Sequence, residues 1–290
     1  MTNLLRSIRP LYLLLAALTY TLGATLAGYL GNPGTPAGFW LGLAAVLLAQ
    51  AVMTLLAEVF RPVTDPIIPE ETIQQRRSLH DQMLYSALTG LAAFCVIVFL
   101  LFNGGHLSGQ AALFFLVELL TGLLYAVPPA RLVNRGFGEP LLAIHLAYVI
   151  PSLGFLIPAG EYHRLLSMLV FPLTLLALAC FLVLNFPTFA RDRKYNRGTM
   201  LVQMGWQRAL PLHNILIGVA YLVLLGAPLF GVSLAVIWPA FLTLPFAILQ
   251  VFLLRNIAQG GRPIWTLLSA TATAVFGLTA YFLTLTFWLR

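Results

Sequence analysis

LLSMLVFPLTLLALACFLVLNF, residues 165–186, carries no charged side chain and runs directly into PTFARDRKYNRGTMLVQMGWQR, residues 187–208, which sets five basic residues against the single acid Asp192. The first stretch is long enough to cross a bilayer as a helix, since about 30 Å of hydrocarbon takes about 20 residues. Hydrocarbon offers backbone N–H and C=O groups no partner, so such a stretch must bond to itself as a helix. The second stretch has the excess of Lys and Arg that marks a cytoplasmic connection.

Eight further segments repeat the apolar pattern, near 10–30, 38–58, 83–103, 109–127, 139–158, 209–228, 231–254 and 263–289. The only acidic, basic or histidine residues well inside the nine segments are Glu118, His145 and His213. The fold class is therefore all-α: a polytopic membrane bundle of about nine helices in two loosely similar halves, one domain over residues 1–290. The chain is 60% hydrophobic and 9% charged, against about 25% charged residues in soluble domains. Cys95 and Cys180 fall mid-span, where a thiol behaves as a small hydrophobe, and neither is assigned chemistry. The first apolar stretch lacks a small-residue processing site and reads as a retained helix. The weakest boundary lies between the seventh and eighth segments, where Gly226–Gly231 is the only break.

A net charge of +7 in a soluble domain would suggest nucleic acid, but here the basic residues are sorted by connection and no aromatic-basic surface module is present. Arg6, Arg9, Arg61, Arg76, Arg77, Arg131, Arg135, Arg191, Arg193, Lys194, Arg197, Arg208, Arg255 and Arg262 all fall in the N-terminal tail or in alternate connections. Only Arg164 and Arg290 fall on the other side. The N-terminus is accordingly expected in the cytoplasm and the C-terminus outside, in the plasma membrane if the cell is prokaryotic.

Two inner connections concentrate the polar chemistry. Residues 59–82 begin Phe60-Arg61-Pro62 and continue to Asp65, with Arg76, Arg77, Glu70, Glu71 and Asp81; residues 187–208 begin at Phe186-Pro187 and continue to Asp192. Within the spans, Glu118 and His145 are expected to pair inside the bundle.

Residues 184–209, LNFPTFARDRKYNRGTMLVQMGWQRA, resemble the second signature of the UbiA-type membrane prenyltransferases, approximately N-x-P-D-Y-x-x-D-x-x-x-G-K-x-T-L-x-V-x-x-G. Asn185, Pro187, Asp192, Thr199, Val202 and Gly205 are in register. Residues 124–142, LYAVPPARLVNRGFGEPLL, resemble the same family's Y-S-x-P-P-x-R-L-K-x-R-G-x-G-E segment through Tyr125, Pro128, Pro129, Arg131, Arg135, Gly136, Gly138 and Glu139. The naphthoate-prenylating branch is the most similar. The resemblance implies nine helices with both polar motifs on the cytoplasmic side. It also implies transfer of an isoprenoid chain from a prenyl diphosphate to a small, aromatic, quinone-precursor acceptor, with Mg²⁺ joining carboxylates to the diphosphate.

The family's first signature, N-D-x-x-D-x-x-x-D, aligns with Ala57-Glu58-Val59-Phe60-Arg61-Pro62-Val63-Thr64-Asp65, where only Glu58 and Asp65 keep acids, and Thr188 stands where the second signature has its first aspartate. The resemblance thus implies Glu58, Asp65 and Asp192 as metal ligands, with fewer ions than in the family. Glu58 shares a face with Asp65 if helix persists past Pro62. Arg61 supplies a planar fork suited to phosphate oxygens and is expected to take over from one metal; its alternative is an anchor at the helix end. Arg131, Arg193, Lys194 and Arg197 are the other expected diphosphate contacts, and the Tyr125 ring is expected to face the prenyl cation. The loss of metal-motif acids also admits a non-catalytic protein of the same fold that binds or scaffolds lipid.

Overall fold

The computed structural model describes residues 4, 7–62, 64–68 and 71–290. Arg6 of the charge pattern and Glu70 of the first polar connection lie outside them. Among the described residues nine helices are long and apolar enough to cross a membrane, and there are no strands. They are α1 Pro10–Tyr29, α2 Pro36–Val59, α3 Ile73–Asn103, α4 Gly109–Ala126, α5 Gly138–Ala159, α6 Arg164–Leu184, α7 Trp206–Phe230, α8 Leu234–Ala258 and α9 Trp265–Trp288.

Capping residues explain where several of them start. Thr35 and Ser108 accept hydrogen bonds from Gly38 N and Ala111 N at 3.0 and 3.1 Å, at the heads of α2 and α4. Thr72 and Gln75 form a reciprocal capping box at the head of α3. That box starts α3 about one helical turn after Pro66–Ile68 rather than near residue 83, so Arg76, Arg77, His80 and Asp81 ride on a helix that projects beyond the apolar zone. The seventh and eighth spans are separate: a 3₁₀ turn, Ala227–Phe230, and Gly231 at φ 87° divide them. A second 3₁₀ stretch, Trp238–Thr243, interrupts α8.

α5 and α6 are the most buried helices and α3 the least. α1 packs closely against α5, because a Cβ on Gly23 would sit 1.9 Å from Pro151 O and one on Gly154 would sit 2.1 Å from Tyr20 O. Small residues permit this approach where dispersion and interhelical hydrogen bonds, rather than water, drive association. A π-helical turn, His145–Val149, lies inside α5 and places His145 Nε2 3.7 Å from Glu118 Oε1 on α4, both fully buried. Thr121 Oγ1 stands 3.1 Å from His145 Nδ1. The expected intramembrane pair is thus a contact in the bundle interior, away from the polar connections. Thr243 of α8 is hydrogen-bonded to Tyr221 of α7 at 2.7 Å and to Thr279 of α9 at 2.8 Å, which ties the last three helices.

Candidate active site

The connections after α2, α4 and α6 meet at the end of the bundle that also carries Arg9. They close a cavity of about 350 Å³ with an apolar wall of Leu11, Tyr12, Tyr125, Leu142, Phe181 and Leu184, and a charged rim of Glu58, Arg61, Asp65, Arg131, Glu139, Asp192 and Arg197. Tyr12 and Phe181 pack edge to face, with ring centroids 5.5 Å apart.

Asp65 reaches the rim through a folded loop. α2 ends at Val59, and the chain then turns so that Asp65 N donates to Pro62 O at 3.0 Å. The helix does not continue past Pro62, which corrects the expectation of a shared helical face: proline has no N–H to extend the ladder. Glu71 and Arg76 hold the loop in shape. Glu71 Oε2 accepts from Ile67 N and Ile68 N at 3.1 and 3.2 Å, and Arg76 donates to Glu71 Oε1 at 2.7 Å and Pro62 O at 2.8 Å.

Asp192 sits on a short helix, Phe189–Lys194, opened by Thr188. Thr188, the position of a missing aspartate, steadies this carboxylate locally, because its hydroxyl donates to Asp192 Oδ2 at 2.7 Å. Arg197 then joins the two halves of the site. Its Nε donates to Asp65 Oδ2 at 2.5 Å and its Nη1 to Asp192 Oδ1 at 3.3 Å. Both carboxylates are deeply buried, at 1% and 2% exposure. Arg61 occupies the other side of the rim, 2.5 Å from Glu58 Oε2 and 3.7 Å from Asp65 Oδ2.

The second motif is anchored by Glu139 at the head of α5. Its carboxylate accepts from Asn185 Nδ2 and, at 3.0 and 3.1 Å, from Met200 N, while Gly136 N donates to Gly198 O at 2.5 Å. Arg131 and Tyr125 line the same cavity as Arg197.

Burial lowers the pKa of Arg61 below its ordinary value; Glu58 and Asp65 oppose the shift, and Arg197 and Arg9 add to it. Arg131 is lowered by burial first; Glu58 and Asp65 oppose this, while Arg61 and Arg197 add to it. The guanidiniums stay charged but are held at a cost in free energy that a bound anion would reduce.

The structure therefore brings together Glu58, Arg61, Asp65, Tyr125, Arg131, Asp192 and Arg197. It does not bring Arg193 and Lys194 to the cavity. Both are exposed, with Lys194 over the Tyr195 ring at 5.3 Å. The reason is geometric: each helical residue turns about 100°, so with Asp192 facing inward the next two side chains face away. Glu58, Asp65 and Asp192, the expected metal ligands, all line the cavity. Glu58 is taken up by Arg61, and among the described residues no group of three His, Cys, Asp or Glu could hold a metal ion. Arg9 and Tyr12 also line the cavity and carried no such expectation. Arg9 read only as a topology residue, yet its Nη2 lies 3.8 Å from Glu58 Oε1, and Tyr12 accepts from Arg9 Nη1 at 3.2 Å.

No protein-family model matches the chain. The 1,4-dihydroxy-2-naphthoate octaprenyltransferase of Bacillus subtilis (strain 168) is 25% identical over 167 residues, which cover 58% of this chain and 53% of that protein. The chain thus matches about half the length of this curated relative. A UbiA homologue from Archaeoglobus fulgidus bound to GPP and Mg²⁺ superposes with a TM-score of 0.70, at 15% identity over 96% of this chain and 98% of that one. The same homologue bound to DMAPP and Mg²⁺ also gives 0.70, at 15% identity over 97% and 99%. A structure of digeranylgeranylglyceryl phosphate synthase gives 0.61, at 14% identity over the whole of both chains. The chain is an integral membrane protein with the all-helical UbiA fold.

Proposed function

We propose that this chain is a membrane prenyltransferase that moves an isoprenoid group from a prenyl diphosphate to a small aromatic acceptor on the cytoplasmic face. The observation that carries the reading is the convergence of Asp65 and Asp192, from connections after α2 and α6, on one guanidinium beside an apolar-walled cavity. A greasy wall and a charged rim match the two ends of a prenyl diphosphate. A cavity of about 350 Å³ is at the small end of ligand pockets, which run from about 300 to 1,000 Å³, so a short donor such as geranyl diphosphate is the appropriate probe. The curated relative's name and the neighbours bound to GPP or DMAPP point to the same donor class.

In this reading the rim arginines hold the diphosphate as its C–O bond breaks and the electron pair leaves with oxygen, which stabilises charge where it develops. The rings of Tyr12 and Tyr125 present their electron-rich faces to the allylic cation. The surrounding helices exclude water that would capture it. The acceptor carbon then bonds to the prenyl carbon and loses a proton. Mg²⁺ accompanies the donor in the neighbouring structures, and here Glu58, Asp65 and Asp192 each face an arginine. The basic connections on the cavity side support a cytoplasmic N-terminus and an external C-terminus.

Pairing of the metal-motif acids also favours a second reading, a lipid-binding protein without turnover. Purified chain supplied with geranyl diphosphate, longer donors and a panel of aromatic acceptors separates the two. Transfer predicts diphosphate release coupled to a prenylated product. Protection against heating by the donors with no release of diphosphate supports the binding protein and rejects the enzyme.

A further inference from the structure

Among the described residues four acids and four arginines line the cavity, the arginines being Arg9, Arg61, Arg131 and Arg197. Each acid already has a partner. Glu58 and Asp65 face Arg61, Asp65 and Asp192 share Arg197, and Glu139 receives Asn185 and Met200 N. An Mg²⁺ ion requires oxygen ligands about 2.0–2.1 Å away in near-octahedral array. The gap between the Asp65 and Asp192 carboxylates, where one ion could be shared, is spanned by the Arg197 guanidinium.

The cationic side has capacity to spare. Among the described residues Arg197 Nη2 and Arg131 Nε have no hydrogen-bond partner, against the single carboxylate oxygen Asp65 Oδ1 on the acidic side of the cavity, and Arg131 makes no ion pair. Guanidinium carries five N–H donors in a fixed fork that matches pairs of phosphate oxygens. The backbone supplies an independent observation. The described non-glycine residues with positive φ are Arg9 at 54°, Arg131 at 37° and Asn196 at 53°, which are two of the cavity arginines and the neighbour of a third. Left-handed backbone costs about 1–2 kcal/mol per residue, and such strain collects at ligand clamps.

We infer that Arg61, Arg131 and Arg197 replace the divalent ion: they bind the diphosphate directly, and the chain holds prenyl diphosphates without Mg²⁺. Among the described lining residues acids and arginines are equal in number, so the arginines offset these carboxylates without an ion. The inference rests on the cavity being a prenyl-diphosphate site.

The test is a titration of the full chain in detergent micelles with geranyl diphosphate, once with Mg²⁺ and once with EDTA. The expected dissociation constants differ by less than about tenfold. Weakening by EDTA of about tenfold or more overturns the metal-free site while leaving the prenyl-diphosphate reading intact. Absence of binding in both conditions overturns that reading and this inference with it. A gain-of-metal variant, Arg61→Asp together with Thr188→Asp, is expected to make binding depend on Mg²⁺ by about tenfold or more. A folded double variant as insensitive to EDTA as the parent overturns the role given to Arg61.

Discussion

Changing Asp65 to Asn gives opposite signs for the two ways of holding a diphosphate. If Asp65 holds a metal ion, Asp65→Asn weakens binding. If Asp65 serves to restrain Arg197 and Arg61, which lie 2.5 and 3.7 Å from its Oδ2, the same change releases two cations toward the ligand. A carboxylate kept about 6 Å from a phosphate by an intervening guanidinium repels it by about 3 kcal/mol per unit charge at an effective dielectric constant near 20. Much of that is already offset by the two arginines, so a net gain of about 1–1.4 kcal/mol, roughly five- to tenfold in affinity, is expected. The unliganded protein becomes less stable by about 3 kcal/mol, the low end for breaking a buried ion pair, because Arg197 keeps Asp192 and Arg61 keeps Glu58. Calorimetry with geranyl diphosphate in EDTA reads the affinity, and thermal unfolding reads the stability. Tighter binding with a lower unliganded melting temperature agrees with the reasoning; binding weakened by about tenfold or more in a folded variant refutes it.

Arg131→Ala is expected to weaken geranyl diphosphate binding by about 1.5–3 kcal/mol, the value of a charge-assisted hydrogen bond, and to leave the melting temperature unchanged, because Arg131 ion-pairs with no described residue. Titration and thermal unfolding together check this. Gly154→Ala is expected to destabilise the bundle by about 1–3 kcal/mol, since its Cβ would lie 2.1 Å from Tyr20 O and force α1 away from α5; a lower melting temperature with donor affinity retained is the readout. In intact cells a membrane-impermeant thiol reagent is expected to label Ser108→Cys, and to label Gln75→Cys only after permeabilisation. The reverse pattern contradicts the orientation.

The spans were readable because bilayer thickness sets a length and lipid excludes charge, and both leave marks in a single sequence. Where capping chemistry competes with hydropathy the reading failed: α3 begins at Ile73 because of Thr72 and Gln75, in a stretch too charged to register as membrane helix. Asp65 and Asp192 were visible through motif spacing, but their connection through Arg197 was not, because no pattern along the chain states which arginine turns inward. Thr188 looked like an absent ligand and proves to steady Asp192. Arg193 and Lys194 share the motif with Arg197, and one short helical turn sends them outward instead. Arg9 was hidden by its own plausibility as a topology signal, since charge counting treats every arginine of an N-terminal tail alike.

An experimental structure of the chain with geranyl diphosphate bound tests the central claim most directly. The account predicts the diphosphate on the cavity rim within hydrogen-bond reach of Arg131 and Arg197, with Asp65 and Asp192 still converging beside it and the prenyl chain along Tyr12, Leu142 and Phe181. A diphosphate bound away from this rim, or the two aspartates parted and turned to lipid or open solvent, would contradict it.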